Sequence, residues 1–579
     1  MCFESRFSKS IRLLVVIGLT MTVAFACAAP AKESTSAPSP AATATKPVVA
    51  APTEIAKATP APTKASTPSA DDKPVYGGVF RSVFDYTTDP PHFDPHVASP
   101  AAAAHAALSL VNLRLLRYPI GAKAYPGDCS VEPELAESWD MPNDTTYVFH
   151  LHKGIKWENK PPVNGRELTA EDVKYTYERI DASRPTKVYI IDAIKSIDVI
   201  DKYTVQFTTK TPYAPFLTGV ADADTEIVAK DVVDKFGDLK SAEAVIGHGP
   251  FILKEHRRGT GFFYVKNPDY FVKGQPYLDE LRILILPDSS TRVASLRSGQ
   301  VDVLRGIEAD MTKSLKQTNP ELVLTEYLKA GGRLIFRNDQ PPFNDKRLRQ
   351  AVSMAIDRQA WVDSLYMGRG EIVYGTILPE SREWAMPKSD FGPAAKYFEY
   401  NIPEAKRLLA EAGYPNGLKT EMHFTAGYGQ YMVEWLELLK DMLSRAGIDM
   451  EIKLKEYGAF IATTYAGDYQ GLSFGSISTY PDPDRILYQA NFPGQRMNNA
   501  HVNDPVLNEM IQKEQQTVDK VKRKAVIDDL QRYHAEQMYY LFVPSPYVSV
   551  ACQPWVHNYG MRLDYARERA FGVTWMTKR

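Results

Sequence analysis

The sequence predicts a mixed α/β body with more than one packed core, set behind an export segment and a stretch that does not fold. Three observations carry this reading. The chain has 579 residues, enough for two or three cores. Short strand-like runs alternate with helical patterns along most of it. Residues 28–74 contain no aromatic residue and consist largely of Ala, Pro, Thr, Ser and Lys, so they cannot bury enough apolar surface to fold.

At the N-terminus, Arg6, Lys9 and Arg12 precede an uncharged apolar run from Leu13 to Phe25. The run is too short to span a bilayer comfortably and ends in small residues, as a secretory signal does. Ala24-Phe25-Ala26-Cys27 resembles the lipobox of bacterial lipoproteins, which makes Cys27 the expected lipidation site; an ordinary signal with an incidental Cys is the alternative. Residues 1–27 then form the signal and 28–74 a tether, and the folded body begins near Val75. No later segment has the roughly eighteen continuous apolar residues of a membrane helix.

Within the body, strands are expected at Gly78–Phe84, Tyr147–Leu151, Thr204–Thr208, Gly261–Val265 and Leu281–Leu286. One helix is expected after Thr169, with Asp172 in its first turn and Val173 and Tyr177 on one face. Another opens at Asp345, with Leu348, Val352 and Ala355 inward. A third is capped by Asn401, with Glu404 at the capping-box position, Leu408 inward and Gly413 as its stop. A long polar helical stretch runs from Pro505 to about Gln537.

The formal charge is −2 with no basic block, which excludes a clustered nucleic-acid footprint. Aromatics reach 11%, and 32 Tyr outnumber 24 Phe, a composition that can line wet cavities. Beyond the leader only Cys129 and Cys552 remain, with no metal-ligand spacing. There is no G-x-S-x-G, P-loop, H-E-x-x-H or G-x-G-x-x-G motif. His92 and His96 flank Phe-Asp-Pro, where Pro95 opposes the helix that would bring both rings to one metal. The sequence therefore predicts no catalytic residue, no metal site and no cofactor, with a secreted hydrolase of peptides or sugars as the alternative.

Six segments together are similar to one family. Residues 131–139 (VEPELAESW) lead into YVFHLHKGIKWENKPPVNGRELTAEDVKYTYER at 147–179. Gly247-His248-Gly249-Pro250-Phe251 leads into a hairpin and an N-P-D-Y turn. FRNDQPPFNDKRLRQAVSMAIDR covers 336–358, and 402–417 and Tyr480-Pro481-Asp482-Pro483-Asp484 follow. In this order they resemble the family 5 extracellular solute-binding proteins, the peptide, nickel and opine binders of ABC transporters. His152, and Glu158-Asn159-Lys160, depart from the family's usual residues. Each block also reads structurally: Trp139 and Trp157 as core anchors, and Arg347 and Arg349 on an exposed or boundary helix side.

The resemblance implies an α/β, two-lobed periplasmic-binding-protein-like fold of type II with an extra subdomain in lobe one. Lobe one is expected at 75–115, 226–330 and 536–579, the insertion at 116–225, and lobe two at 331–535. The hinge would pass near Gly331-Gly332 and Glu536–Tyr540. The implied function is capture of a small-molecule solute between the lobes by a monomer, and delivery to ABC transporter permease subunits from a lipid anchor on a bacterial membrane. The implied ligand contacts are Tyr86, Thr87 and His92 on lobe one, and Tyr428, Tyr431, Ser478, Thr479 and Tyr480 on lobe two. Asp482 reads as a helix cap. In the family's peptide binders an Asp three residues before the acidic-Pro pair holds the ligand's ammonium. Counting back from Asp482-Pro483 places Thr479 there, so short peptides with a free N-terminus are expected to be poor ligands and a hydroxyl-rich neutral solute is the alternative.

Overall fold

The computed structural model describes residues 73–579 apart from 87, 98–106, 184–189, 478–479, 496, 565 and 578–579. Cys27, Thr87, Ser478 and Thr479 therefore lie outside the described residues. The fold is a two-lobed, type II periplasmic-binding-protein architecture built on three main sheets, with two short two-stranded ones beside them.

The lobe-one sheet places, in order, Val323–Leu328, Ser545–Cys552, Val303–Ile307, Val79–Val83, Glu280–Leu284, Gly261–Lys266 and Phe251–Arg257. Val79–Val83 runs parallel to both its neighbours, and the outer strands are antiparallel. The lobe-two sheet orders Ile448–Leu454, Leu418–Phe424, Leu472–Ser476, Gly332–Phe336 and Tyr540–Phe542. All of Gly332–Phe336 is buried, as a strand covered on both faces must be. A separate four-stranded antiparallel sheet holds Ala136–Asn143, Thr146–Leu151, Thr204–Thr209 and Ile194–Asp201.

Local patterns explain these elements. In Thr146–Leu151 the residues Tyr147, Phe149 and Leu151 are buried and alternate with half-exposed ones, the period of a strand with one face inward. The helix Ala170–Ala182 buries Val173, Thr176, Tyr177 and Ile180, one stripe of a 3.6-residue period. Asp172 accepts from the Thr169 backbone N–H at 3.0 Å, closing the start of that helix. Asn401 caps Ile402–Glu411 by accepting from Glu404 N–H, but the Glu404 carboxylate turns outward to Arg407 and completes no box.

Three expectations need correction. The stretch from Pro505 is two helices, Pro505–Gln516 and Lys520–Gln537, each with its own Asp cap at Asp504 and Asp519. Arg349 is buried, not on a boundary: its guanidinium donates to Gln537 O and Phe343 O, and burial pulls its pKa down to about 10. With Gln350 donating to Glu536 O, it satisfies carbonyls at the end of the last long helix. The return to lobe one falls later than residue 536, because Tyr540–Phe542 still pairs with Arg333–Ile335 of lobe two. At the crossing itself Gly331 and Gly332 are closely packed. A Cβ on Gly331 would meet Pro544 O at 2.7 Å, and one on Gly332 would meet the Phe474 ring at 2.1 Å.

Candidate functional site

The lobes meet along a polar seam, and the seam is assembled by loops at strand ends. On lobe one the chain leaves Val79–Val83 through Asp85, whose carboxylate accepts from Arg305 at 2.9 Å and Arg567 at 2.8 Å. Burial pushes the Asp85 acid up, but Arg305 and Arg567 outweigh it and hold it below its ordinary value. This fixes the start of the loop that carries Tyr86, which packs on Phe84. Further along, Asp89 accepts from Gly259 N–H and pairs with His256 at 2.7 Å.

Three patches join the lobes. In the first, Tyr125 OH donates to Glu380 O at 3.1 Å, Cys129 Sγ lies 3.1 Å from Glu383 Oε2, and Trp384 Nε1 donates to Cys129 Sγ at 3.4 Å. The Arg382 guanidinium stacks 4.3 Å from the Tyr125 ring centre. In the second, Tyr213 OH donates to Asp484 at 3.0 Å and Thr218 to Asp482 at 2.9 Å. Beside them Arg485 bridges to Asp222 and Asp224, and Ala214 N–H donates to Gln515 O. In the third, the Lys329 ammonium sits 5.2 Å over the Tyr431 ring. Burial alone would pull Lys329 down, but Tyr431 and Glu308 hold it above its ordinary value.

Asp482 accepts from Asp484 N–H at the start of the helix Asp484–Asn491, and its carboxylate also takes two hydrogen bonds from buried Arg523. Burial would raise its acid, yet Arg523 keeps it low, so Asp482 stays ionised while fixed. The acidic-Pro turn is thus a rigid piece of lobe two pressed against Tyr213–Asp224. Among the described residues no group of His, Cys, Asp and Glu is arranged to hold a metal ion. A cavity of about 10 Å³ under Phe93, Leu108 and Val232 lies inside the body, away from the seam, and has room for no more than one water.

Residues 130–498, more than half of the chain, match the family described as bacterial extracellular solute-binding proteins, family 5 Middle. The chain belongs to that family. Among its relatives, Di/tripeptide-binding protein 2 of Pseudomonas aeruginosa (strain UCBPP-PA14) is 27% identical over 472 residues, 76% of this chain and 86% of that protein. The dipeptide-binding protein of Escherichia coli (strain K12) is 27% identical over 421 residues, 69% of this chain and 76% of that one. The periplasmic binding protein DppA of Helicobacter pylori, solved with the peptide STSA, superposes with a TM-score of 0.74 at 25% identity, covering 87% of this chain and 99% of its own. AgaA of A. tumefacien R10, solved with agropinic acid, gives a TM-score of 0.74 at 26% identity over the same share of this chain and 99% of its own. The function at the family's level is extracellular solute binding, and the family is one of binding proteins rather than enzymes.

In this solute-binding protein the family's sequence blocks mostly build the frame. Glu134 is buried between Arg569 at 2.6 Å and Arg114 at 3.6 Å; burial pushes its acid up, and the two guanidiniums bring it down to about 2. His248 accepts from Leu113 N–H, and burial lowers its pKa to about 3, so it serves as a neutral acceptor. Gly247 and Gly249 lie so close to the backbone of 110–111 that a Cβ would come within 2.1 and 2.4 Å of a carbonyl.

Of the sequence-predicted contacts, Tyr431 reaches the seam through Lys329, and Tyr480 does so by stacking 4.6 Å from the Arg485 guanidinium. Tyr86 stands by the Asp85–Arg567 anchor. Tyr428 turns against Phe424, Tyr457 and Phe460 within lobe two. His92 accepts from Asp94 N–H, and burial holds its pKa low; its charged neighbours are Asp94, Lys240 and Asp238, none from lobe two. Sequence reasoning missed Tyr125, Gly127, Glu380 and the Asp222–Arg485 bridge. Arg485 alone carried a signal, since it follows the acidic-Pro block directly.

Proposed function

We propose that this chain is an extracytoplasmic lipoprotein, anchored through Cys27, that closes two lobes on a small solute and hands it to the permease subunits of an ABC transporter. The observation that carries this reading is the seam. Two lobes with separate main sheets are joined covalently by short crossings at 329–331 and 543–544, beside which Gly370–Glu371 pairs with Ser545–Pro546 and Arg369 with Glu326, and away from the crossings they touch through the polar patches above. Polar interdomain contacts of this kind separate more readily than a shared apolar core, so a hinge between the crossings is the expected motion. A solute touching both walls stabilises the closed form over the open one, and that difference drives closure. Relatives named for di- and tripeptides and a neighbour solved with an opine support a small polar solute such as a peptide, an oligosaccharide or a related compound. The protein acts as a monomer, since one chain supplies both walls.

The test is native mass spectrometry of the full chain purified without denaturation, followed by thermal shift with the recovered compound. One small molecule per chain, raising the melting temperature and recovered unchanged, is the expected result. Catalytic turnover of a peptide or sugar by the pure protein, lost on mutating a seam residue, would replace binding with hydrolysis.

A further inference from the structure

Buried carboxylates in this body are generally answered. Glu134 meets Arg569, Asp94 meets Arg179, Asp482 meets Arg523 and Asp222 meets Arg485. Glu380 is different. It is 1% exposed, neither carboxylate oxygen has a hydrogen-bond partner, and no described cation is paired with it. Its own backbone N–H and the Ser545 hydroxyl are near, neither in hydrogen-bonding geometry, and the charged group that faces it is a second carboxylate, Glu371.

The position of Glu380 makes this informative. Its backbone is covered from the other side of the seam by Tyr125 and Gly127. Tyr547 donates to Glu371, and Arg382 is exposed and engaged on the Tyr125 ring. Two carboxylates and two tyrosines from three separate parts of the chain thus converge where the lobes close. An ionised carboxylate taken out of water needs a proton or a cation. Burial, with Glu371 beside it, pushes the Glu380 acid up to about 8, so the closed seam without ligand holds the proton.

We propose that Glu380 seats a positively charged nitrogen of the ligand, so that the solute captured at the seam is an amine, a guanidine or a quaternary ammonium compound. This rests on the proposed solute-binding function and narrows it. A ligand cation replaces the Glu380 proton, which leaves to solvent, and the seam then closes on an ion pair instead of a neutral acid. Glu371 adds to the negative field that a ligand cation meets there, while the Tyr125 and Tyr547 rings already carry Arg382 and Arg369. The carboxylate that position 479 does not provide is supplied from a different loop. A cationic group is therefore bound deep in the seam rather than at the acidic-Pro turn.

The experiment uses the full chain and a thermal-shift panel that includes putrescine, agmatine, choline, glycine betaine, dipeptides with free and acetylated N-termini, 1,4-butanediol, maltotriose and citrate. Stabilising solutes are expected to carry a positively charged nitrogen. Glu380→Gln should weaken them about 100-fold, the usual scale for removing one partner of a buried charge pair. Calorimetry near pH 7 in buffers of different ionisation enthalpy should show release of close to one proton by the natural chain and none by Glu380→Gln. Without ligand, Glu380→Gln mimics the protonated acid, so its melting temperature should equal or exceed that of the natural chain, which a merely structural role would not give. Glu371→Gln, at a half-exposed site, is the second variant and should weaken the same solutes by a smaller factor. Stabilisation confined to neutral or anionic solutes, unchanged binding in both variants, or binding without proton release overturns the inference while leaving solute binding intact. A panel in which nothing stabilises the chain overturns the proposed function and this inference with it.

Discussion

Replacing Gly127 with Ala should open the seam without harming either lobe. The backbone of Gly127 passes so close to lobe two that an added Cβ would lie 2.2 Å from Glu380 O and 3.1 Å from its carbonyl carbon. Both atoms are backbone, so neither can rotate away. Ordinary contact begins beyond 3 Å, so the two walls must part by about 1 Å. That displacement also strains the 3.1 Å hydrogen bond from Tyr125 OH to Glu380 O. Overpacking of a tight contact costs about 1–3 kcal/mol, and a lost hydrogen bond about 1 kcal/mol. The closed form should therefore lose about 2–4 kcal/mol, which weakens ligand binding by about 30-fold to several hundred-fold. In the open form the clash is absent, so the melting temperature without ligand should stay within about 1 °C of the natural chain. Small-angle X-ray scattering with and without ligand, beside calorimetry, reads both effects. Unchanged affinity and unchanged compaction on ligand addition would refute the reasoning, because Gly127 and Glu380 would then not meet in the ligand-bound form.

Arg485→Met removes the cation from Asp222, which is 4% exposed, and leaves that carboxylate buried and unpaired in the closed form. A cost of about 3–5 kcal/mol follows, read as ligand affinity reduced more than about 100-fold. The Cys129 thiol is pushed up to about 12, chiefly by burial and then by Glu383, so alkylation by iodoacetamide at pH 8 should be slow and slower still with ligand; fast, ligand-independent labelling would count against a closed seam there. The Glu380 acid, raised from 4.5 to about 8, holds a proton in the closed seam that an exposed carboxyl releases. Its stabilisation is complete below about pH 4.5, declines as pH rises, and is gone above about pH 8, so compaction without ligand should decrease across that window and stay flat in Glu380→Gln. Cys27→Ala should move the protein from the membrane fraction into the soluble one; unchanged partitioning would rule out the lipid anchor.

Local periodicity alone was enough for much of the frame. The alternating Tyr147, Phe149 and Leu151 made a strand, and the stripe through Val173, Tyr177 and Ile180 made a helix, because one buried face imposes its period on the sequence. The ordered blocks of 131–139, 247–251 and 336–358 were enough to give the family, since Glu134, His248 and Arg349 are held in the frame by partners this fold supplies. Local pattern failed where charge and burial depend on distant chain. Arg349 on an apparently open helix face is buried because the end of Lys520–Gln537 lies over it. The single polar stretch from Pro505 divides because Asp519 caps a second helix whose direction is set by packing. The seam was the least legible part. Neither Pro379-Glu380-Ser381-Arg382 nor Gly127 belongs to any motif or periodic element in the sequence. Glu380 loses its water only because Tyr125 and Gly127, from a distant part of the chain, are folded over it. The sequence by itself determined the elements and the family, for burial periodicity and capping act within a few residues; the tertiary structure decided which charges are left without partners, because desolvation is a property of the whole surrounding fold.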